Sequence, residues 1–118
     1  MKKTIETDYK KECTARLLTV KDALDVVSGK WKILIIMSIM SGNKRFSEIE
    51  KSIPKISSKV LAKELKGLEE DQLIKRTVYD SFPVLIEYTP TDHVFTLGNV
   101  IEALHNWGLN HRKRILGQ

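Results

Sequence analysis

The stretch that decides the fold runs from Lys44 to Tyr88 and reads KRFSEIEKSIPKISSKVLAKELKGLEEDQLIKRTVYDSFPVLIEY. Ser47 and Glu50 have the spacing of a capping box, which predicts a short helix running through Ile53. Pro54 cannot continue that helix, because proline lacks the amide hydrogen and disfavours the helical conformation of the residue before it. The stretch therefore begins with a short helix and a tight turn.

A second helix is predicted from Ser57, a good N-cap residue, to about Asp71. Leu61, Leu65 and Leu68 recur at helical spacing and predict the side that faces the core. Another side carries the polar and small residues Ser58, Lys59, Ala62, Lys63 and Lys66.

Two short strands follow the second helix. Residues 74–79 and 85–89 have strand composition, and residues 80–83 (DSFP) are typical of a turn. Helix, turn, helix and β-hairpin in this order predict a winged helix-turn-helix, with the helix-turn-helix at 46–71 and the wing at 74–89. A lysine-rich helix beside a β-ribbon favours binding to double-stranded DNA.

The flanking segments complete a mainly α, single domain over residues 1–118. Residues 1–18 lack clean periodicity and are interpreted as an arm, and a helix is predicted over residues 20–27. An apolar run over residues 31–40 predicts a buried central helix. A long last helix over 95–116 carries an apolar stripe that is interpreted as both core and dimer interface: Leu97, Val100, Ile101, Leu104 and Trp107.

Positive charge is concentrated on part of the chain. The net charge is +5, and residues 44–66 hold 7 basic and 3 acidic groups, giving +4. This distribution favours an anionic partner at the helix-turn-helix.

The N-terminus lacks an apolar signal region and the longest apolar run is too short to cross a bilayer, so a cytoplasmic protein without membrane association is expected. One cysteine excludes an intramolecular disulfide.

The candidate DNA contacts divide into two groups. Base or near-base contacts are predicted for Ser57, Ser58, Lys59 and Lys63, where free N–H groups of the helix start would meet DNA. Phosphate contacts are predicted for Lys44, Arg45, Lys55, Lys66 and Arg76. The alternative for the helix is an ordinary solvated face, and the alternative for Arg76 is pairing with Glu69 or Glu70.

No enzyme motif is visible: the chain lacks a glycine-rich phosphate loop, HExxH, CxxC or nucleophile elbow. The histidines lack metal-ligand spacing, so no cofactor or metal is expected. Cys13 lies among Lys10, Lys11 and Arg16, surroundings that favour a redox-sensing thiol. A packed or simply exposed small residue is the alternative for Cys13.

Several segments together resemble the HxlR-type (MarR-like) transcriptional regulators. They are residues 23–31 (ALDVVSGKW), 45–49 (RFSEI), 56–61 (ISSKVL), 65–71 (LKGLEED), 73–76 (LIKR) and 104–108 (LHNWG). The resemblance implies a bacterial homodimer on operator DNA, joined through its first and last helices, which adds Val20 and Leu24 to the interface. It also implies a candidate sensor of oxidants or electrophiles at Cys13.

Two other functions remain open at this point. A winged helix can serve as a protein-interaction module that does not contact DNA, although the lysine face argues against it. A regulator that responds to a small molecule is the other alternative, and no residue pattern identifies a ligand.

Overall fold

A computed structural model describes the backbone of residues 2–117 and the side chains of residues 8–117. The elements in chain order are α1 Lys2–Val27, α2 Lys32–Met40, α3 Phe46–Ser52, α4 Ser58–Glu70, β1 Ile74–Tyr79, β2 Leu85–Pro90, a 3-10 helix Asp92–Leu97 and α5 Gly98–Leu116. The described chain divides into two units, one ending at Lys30 and one beginning at Trp31. The assignment of residues 1–118 to a single domain stays a prediction.

Helix α1 corrects the expectation for the N-terminus. The helix predicted from Val20 already begins at Lys2, so the described part of the expected arm is helical. The segment before Val20 lacks an apolar period in its sequence, and its side chains from residue 8 onward are all exposed. Its support is local: Arg16 pairs with Glu12 at 2.9 Å and Lys21 with Asp25 at 3.1 Å, each one helical turn apart.

The core of the second unit is aliphatic and is contributed by nearly every element. Its buried residues are Ile35, Ile36, Ile39, Ile49, Ile53, Ile56, Leu61, Leu65, Leu68, Leu73, Ile74 and Val94. The central helix α2 is less enclosed than predicted, because Leu34 and Met37 are 43% and 47% exposed. Buried Ser38 joins α2 to α3 through its hydroxyl, which lies 2.5 Å from that of Ser52.

The start of α3 differs from the predicted capping box. Arg45 is the N-cap, and Glu48 accepts backbone hydrogen bonds from Lys44 at 3.1 Å and Arg45 at 2.9 Å. Glu50 instead accepts a hydrogen bond from the Ser58 hydroxyl, which ties α3 to α4. The cap therefore lies two residues earlier than Ser47.

The turn and α4 follow the prediction closely. Lys55, in the turn, has a φ of 67°, and the Ser57 hydroxyl caps α4 by accepting from the Val60 amide at 3.1 Å. The helix ends at Glu70, one residue before the expected boundary. Gln72 then has a φ of 62°, a left-handed conformation that glycine adopts at lower cost.

The wing is an antiparallel hairpin whose register runs from the pair Ile74–Pro90 to the pair Tyr79–Leu85. The Tyr88 amide donates to the Lys44 carbonyl at 2.7 Å, which fixes the hairpin beside the start of α3.

The last helix was predicted as one element from residue 95. In the structure Thr91 caps a 3-10 helix first, and α5 begins at Gly98.

Candidate nucleic-acid interface

All nine predicted DNA contacts have exposed side chains, and none forms an ion pair with a described residue. On α4, Lys59, Lys63 and Lys66 lie on the side away from the three buried leucines, since helical residues three and four apart share a face. Uncompensated cations on one face of a helix attract a polyanion more strongly than paired ones. The helix therefore presents a continuous lysine face.

The two serines at the start of α4 differ in their surroundings. The Ser57 oxygen is occupied by the capping bond to Val60, whereas its hydroxyl hydrogen has no acceptor among the described residues. The Ser58 hydroxyl donates to the Glu50 carboxylate. Ser58 is thus engaged within the fold, and this bond was not predicted from the sequence because Glu50 had been assigned to the helix cap.

Lys44 and Arg45 are held in place by their backbone rather than by their side chains. Glu48 accepts both of their amide hydrogens, and Tyr88 donates to the Lys44 carbonyl. The hydrogen bonds from Arg45 and then Lys44 lower the pKa of the Glu48 carboxyl, because they stabilise its charged form. Both cationic side chains remain exposed beside the start of the helix-turn-helix.

This cap has a testable dependence on pH. A carboxyl whose pKa is lowered by folding stabilises the native state above its unfolded pKa, and that contribution is lost as pH falls through its folded pKa. Glu48→Gln is therefore expected to unfold at lower urea concentration than the wild type near neutral pH, and the difference should shrink at about pH 3. Glu70→Gln, which removes an exposed carboxylate outside the cap, is the control. An equal difference at both pH values would contradict this role for Glu48.

The wing carries less positive charge than the helix. Arg76 is exposed at its base, and the alternative pairing with Glu69 or Glu70 is absent among the described residues. At the other end, Tyr79 hydrogen-bonds Glu87, which raises the pKa of the tyrosine hydroxyl. The loop tip exposes Phe82 completely. Tyr88, which was not predicted as a DNA contact from the sequence, lies directly opposite Arg76 in the strand register.

Cys13 is exposed on α1. The hydrogen bond and charge of Cys13 raise the pKa of the Tyr9 hydroxyl one helical turn away. Arg16, predicted as a cationic neighbour of the thiol, forms its ion pair with Glu12 instead. The described residues contain no cluster of three or more metal-binding side chains, and no described helix is long and apolar enough to span a membrane.

The predicted dimer residues leave apolar surface uncovered in the single chain. On α1, Val20 and Leu24 are exposed. Helix α5 has no fully buried residue over its described length, and Trp107 is 67% exposed while stacking on His111 with ring centroids 4.8 Å apart. Val100 and Leu104 are also exposed, and Leu97 and Ile101 are half-buried. An apolar stripe of this length is typical of a surface that a partner covers.

The fold and its basic face define a winged helix-turn-helix transcriptional regulator. The chain belongs to the HxlR-like helix-turn-helix family, whose pattern matches residues 26–115. It is 36% identical over 100 residues to the HTH-type transcriptional regulator YtcD of Bacillus subtilis, covering 85% of this chain and 79% of that one. This confirms the resemblance and the fold class inferred from the sequence.

Solved structures agree with this assignment. The redox regulator HypR in its reduced form is 32% identical with a TM-score of 0.77, covering 85% of this chain and 99% of that one. The reduced form of YodB from B. subtilis is 34% identical with a TM-score of 0.69, covering 82% and 91%. YodB has also been solved after diamide treatment and with bound quinone.

Proposed function

We propose that the protein binds operator DNA as a homodimer, in the cytoplasm and without catalytic activity, with the lysine face of α4 in the major groove. The observation that carries this proposal is the set of exposed lysines on α4 that pair with no described residue, together with exposed Lys44 and Arg45. Ser57, Lys59 and Lys63 make base or near-base contacts, and Ser58 does so if it leaves Glu50. Phosphates are bound by Lys44, Arg45, Lys55, Lys66 and Arg76.

Dimerisation is supported by two apolar surfaces that the described chain leaves exposed. One is on α1 around Val20 and Leu24, and the other is the stripe of α5 around Leu104 and Trp107. A second copy would cover both and would relate two recognition helices by a two-fold axis. Such helices read half-sites about one turn of DNA apart, roughly 34–36 Å.

A genome-wide map of the sites that the protein occupies tests this function most broadly. The expected result is a small number of sites that contain inverted repeats with half-site centres about 10 base pairs apart. A protein-interaction module would give no enriched sites and would fail to bind random duplex at low salt. A ligand-responsive regulator would give the same sites, but their occupancy would change with growth conditions that leave Cys13 reduced.

We further propose that Cys13 is the site at which an oxidant or electrophile changes DNA binding. Support comes from its exposure, from its contact with Tyr9, and from two similar proteins, HypR, described as a redox regulator, and YodB, solved with quinone. Mild oxidation is expected to change operator affinity in the wild type and to leave Cys13→Ser unaffected. A non-reducing gel should show a covalent dimer in the wild type only. Identical binding with and without oxidant would exclude Cys13 as the sensor.

A further inference from the structure

A notch of about 300 Å³ lies between α4 and the hairpin. One wall of the notch is formed by helix α4, through Ala62, Lys66 and Glu69. These residues are four and three positions apart, so they lie on one side of the helix. From the hairpin, Arg76 and Tyr88 line the other wall as a directly opposed cross-strand pair. The small Ala62 side chain fills little of the space between the two walls.

The charges in the notch are not neutralised by one another. Lys66, Glu69 and Arg76 line the same space, yet no ion pair joins any two of these three described residues. The half-buried Tyr88 has no hydrogen-bond partner for its hydroxyl within the described part of the chain. Two cations and one unused O–H donor around an open volume suit a small anion with several acceptor oxygens. A phosphate group has this chemistry.

We propose that the notch holds one phosphate of the DNA backbone, bound by Lys66, Arg76 and the Tyr88 hydroxyl. This inference rests on the proposed DNA binding and adds Tyr88 to the phosphate-binding residues. The Tyr88 amide donates to the Lys44 carbonyl at 2.7 Å, which fixes the backbone of Lys44 beside the hairpin strand that carries Tyr88. The Lys44 side chain then binds a second phosphate close to the one in the notch.

Glu69 has the opposite effect in the same site. Its carboxylate lines the notch and repels the phosphate, so it lowers affinity for any DNA sequence. A repulsive group at a phosphate contact weakens nonspecific and specific binding alike, which leaves discrimination to base contacts. Glu69 therefore shortens the residence of the protein on operator and random DNA alike.

These roles predict opposite effects of two conservative substitutions. Tyr88→Phe removes a neutral hydrogen bond and is expected to weaken duplex binding about fivefold for each bound protomer without changing the salt slope. Glu69→Gln removes a repulsive charge and is expected to strengthen binding by about three- to tenfold at low salt and less at high salt. Fluorescence anisotropy with labelled duplex across a range of salt concentrations measures both effects.

Matched controls separate the notch from general effects. Tyr79→Phe removes a hydroxyl from the same hairpin, where it bonds Glu87 rather than DNA. Asp71→Asn removes a carboxylate at the same end of α4, outside the notch. Both controls are expected to bind like the wild type. The inference would be overturned if Tyr88→Phe bound duplex DNA as tightly as the wild type, or if Glu69→Gln bound it no more tightly than Asp71→Asn. In either case, duplex binding by the wild type would still support the proposed function. A wild type that binds no duplex at any salt would overturn the proposed function itself.

Discussion

Replacing Leu104 with glutamate is expected to convert the protein into a monomer and to lower its affinity for a two-half-site operator by about a hundredfold or more. Leu104 is 52% exposed in the single chain and lies in the middle of the α5 stripe. A carboxylate placed there would be buried without a partner when two copies meet, at a cost of several kcal/mol. Dissociation of the dimer also removes the second recognition helix, and with it the gain from binding two half-sites at once.

Sedimentation equilibrium gives the oligomeric state and anisotropy gives the affinity. Asn106→Glu is the matched control, because Asn106 is exposed on the side of α5 away from Leu104. It adds the same charge to the same helix and is expected to remain dimeric. Circular dichroism must show that both variants keep their helices. A Leu104→Glu variant that is folded, dimeric and fully active would remove α5 from the proposed interface.

The second large effect is expected from Lys59→Ala combined with Lys63→Ala. Removing a base contact costs about 1–3 kcal/mol, and each of the two substitutions acts in both protomers of the homodimer, so operator affinity should fall by about a thousandfold or more. The decrease should be greater on operator than on random duplex, because base contacts carry the sequence preference. Both lysines are exposed and pair with no described residue, so their removal leaves no buried partner behind.

Two comparisons sharpen that experiment. Lys44→Ala should weaken binding uniformly across sequences and reduce the log–log salt slope by about 0.9 for each phosphate that is no longer bound. Lys75→Ala removes the same charge from the hairpin position next to Arg76. The Lys75 side chain points to the opposite face of the strand from Arg76, so its removal should weaken binding less. If the double variant lost the same affinity for operator and for random duplex, Lys59 and Lys63 would be assigned as phosphate contacts only.

Sequence patterns predicted the helix-turn-helix well because its signals are local. Ser57 caps α4 as expected, and the proline after Ile53 marks the turn. The strands fall within one residue of prediction because the turn residues between them are unambiguous. The helix predicted over residues 20–27 ends at Val27 as expected. The earlier part of α1 was missed since its support comes from charged pairs such as Arg16–Glu12 rather than from an apolar face.

Features that depend on distant residues could not be read from the chain. The predicted capping box used Glu50, whereas Glu48 caps α3 in the structure, in a segment where the Tyr88 amide donates to the Lys44 carbonyl. Glu50 is thereby free to accept the hydrogen bond from Ser58. The notch is likewise invisible in the sequence, because it requires the register that places Arg76 opposite Tyr88. The assignment of individual DNA and dimer contacts stays a prediction.

The most direct test of the central claim is the affinity of the wild-type protein for duplex DNA as a function of salt concentration. Four phosphates per protomer, one of them shared by Lys66 and Arg76, are bound by both protomers of a dimer and predict a log–log slope of about −7 on operator DNA. The same measurement on random duplex should give weaker binding that also depends steeply on salt. A slope near zero, or no binding at low salt, would show that the lysine face does not bind DNA and would contradict the account.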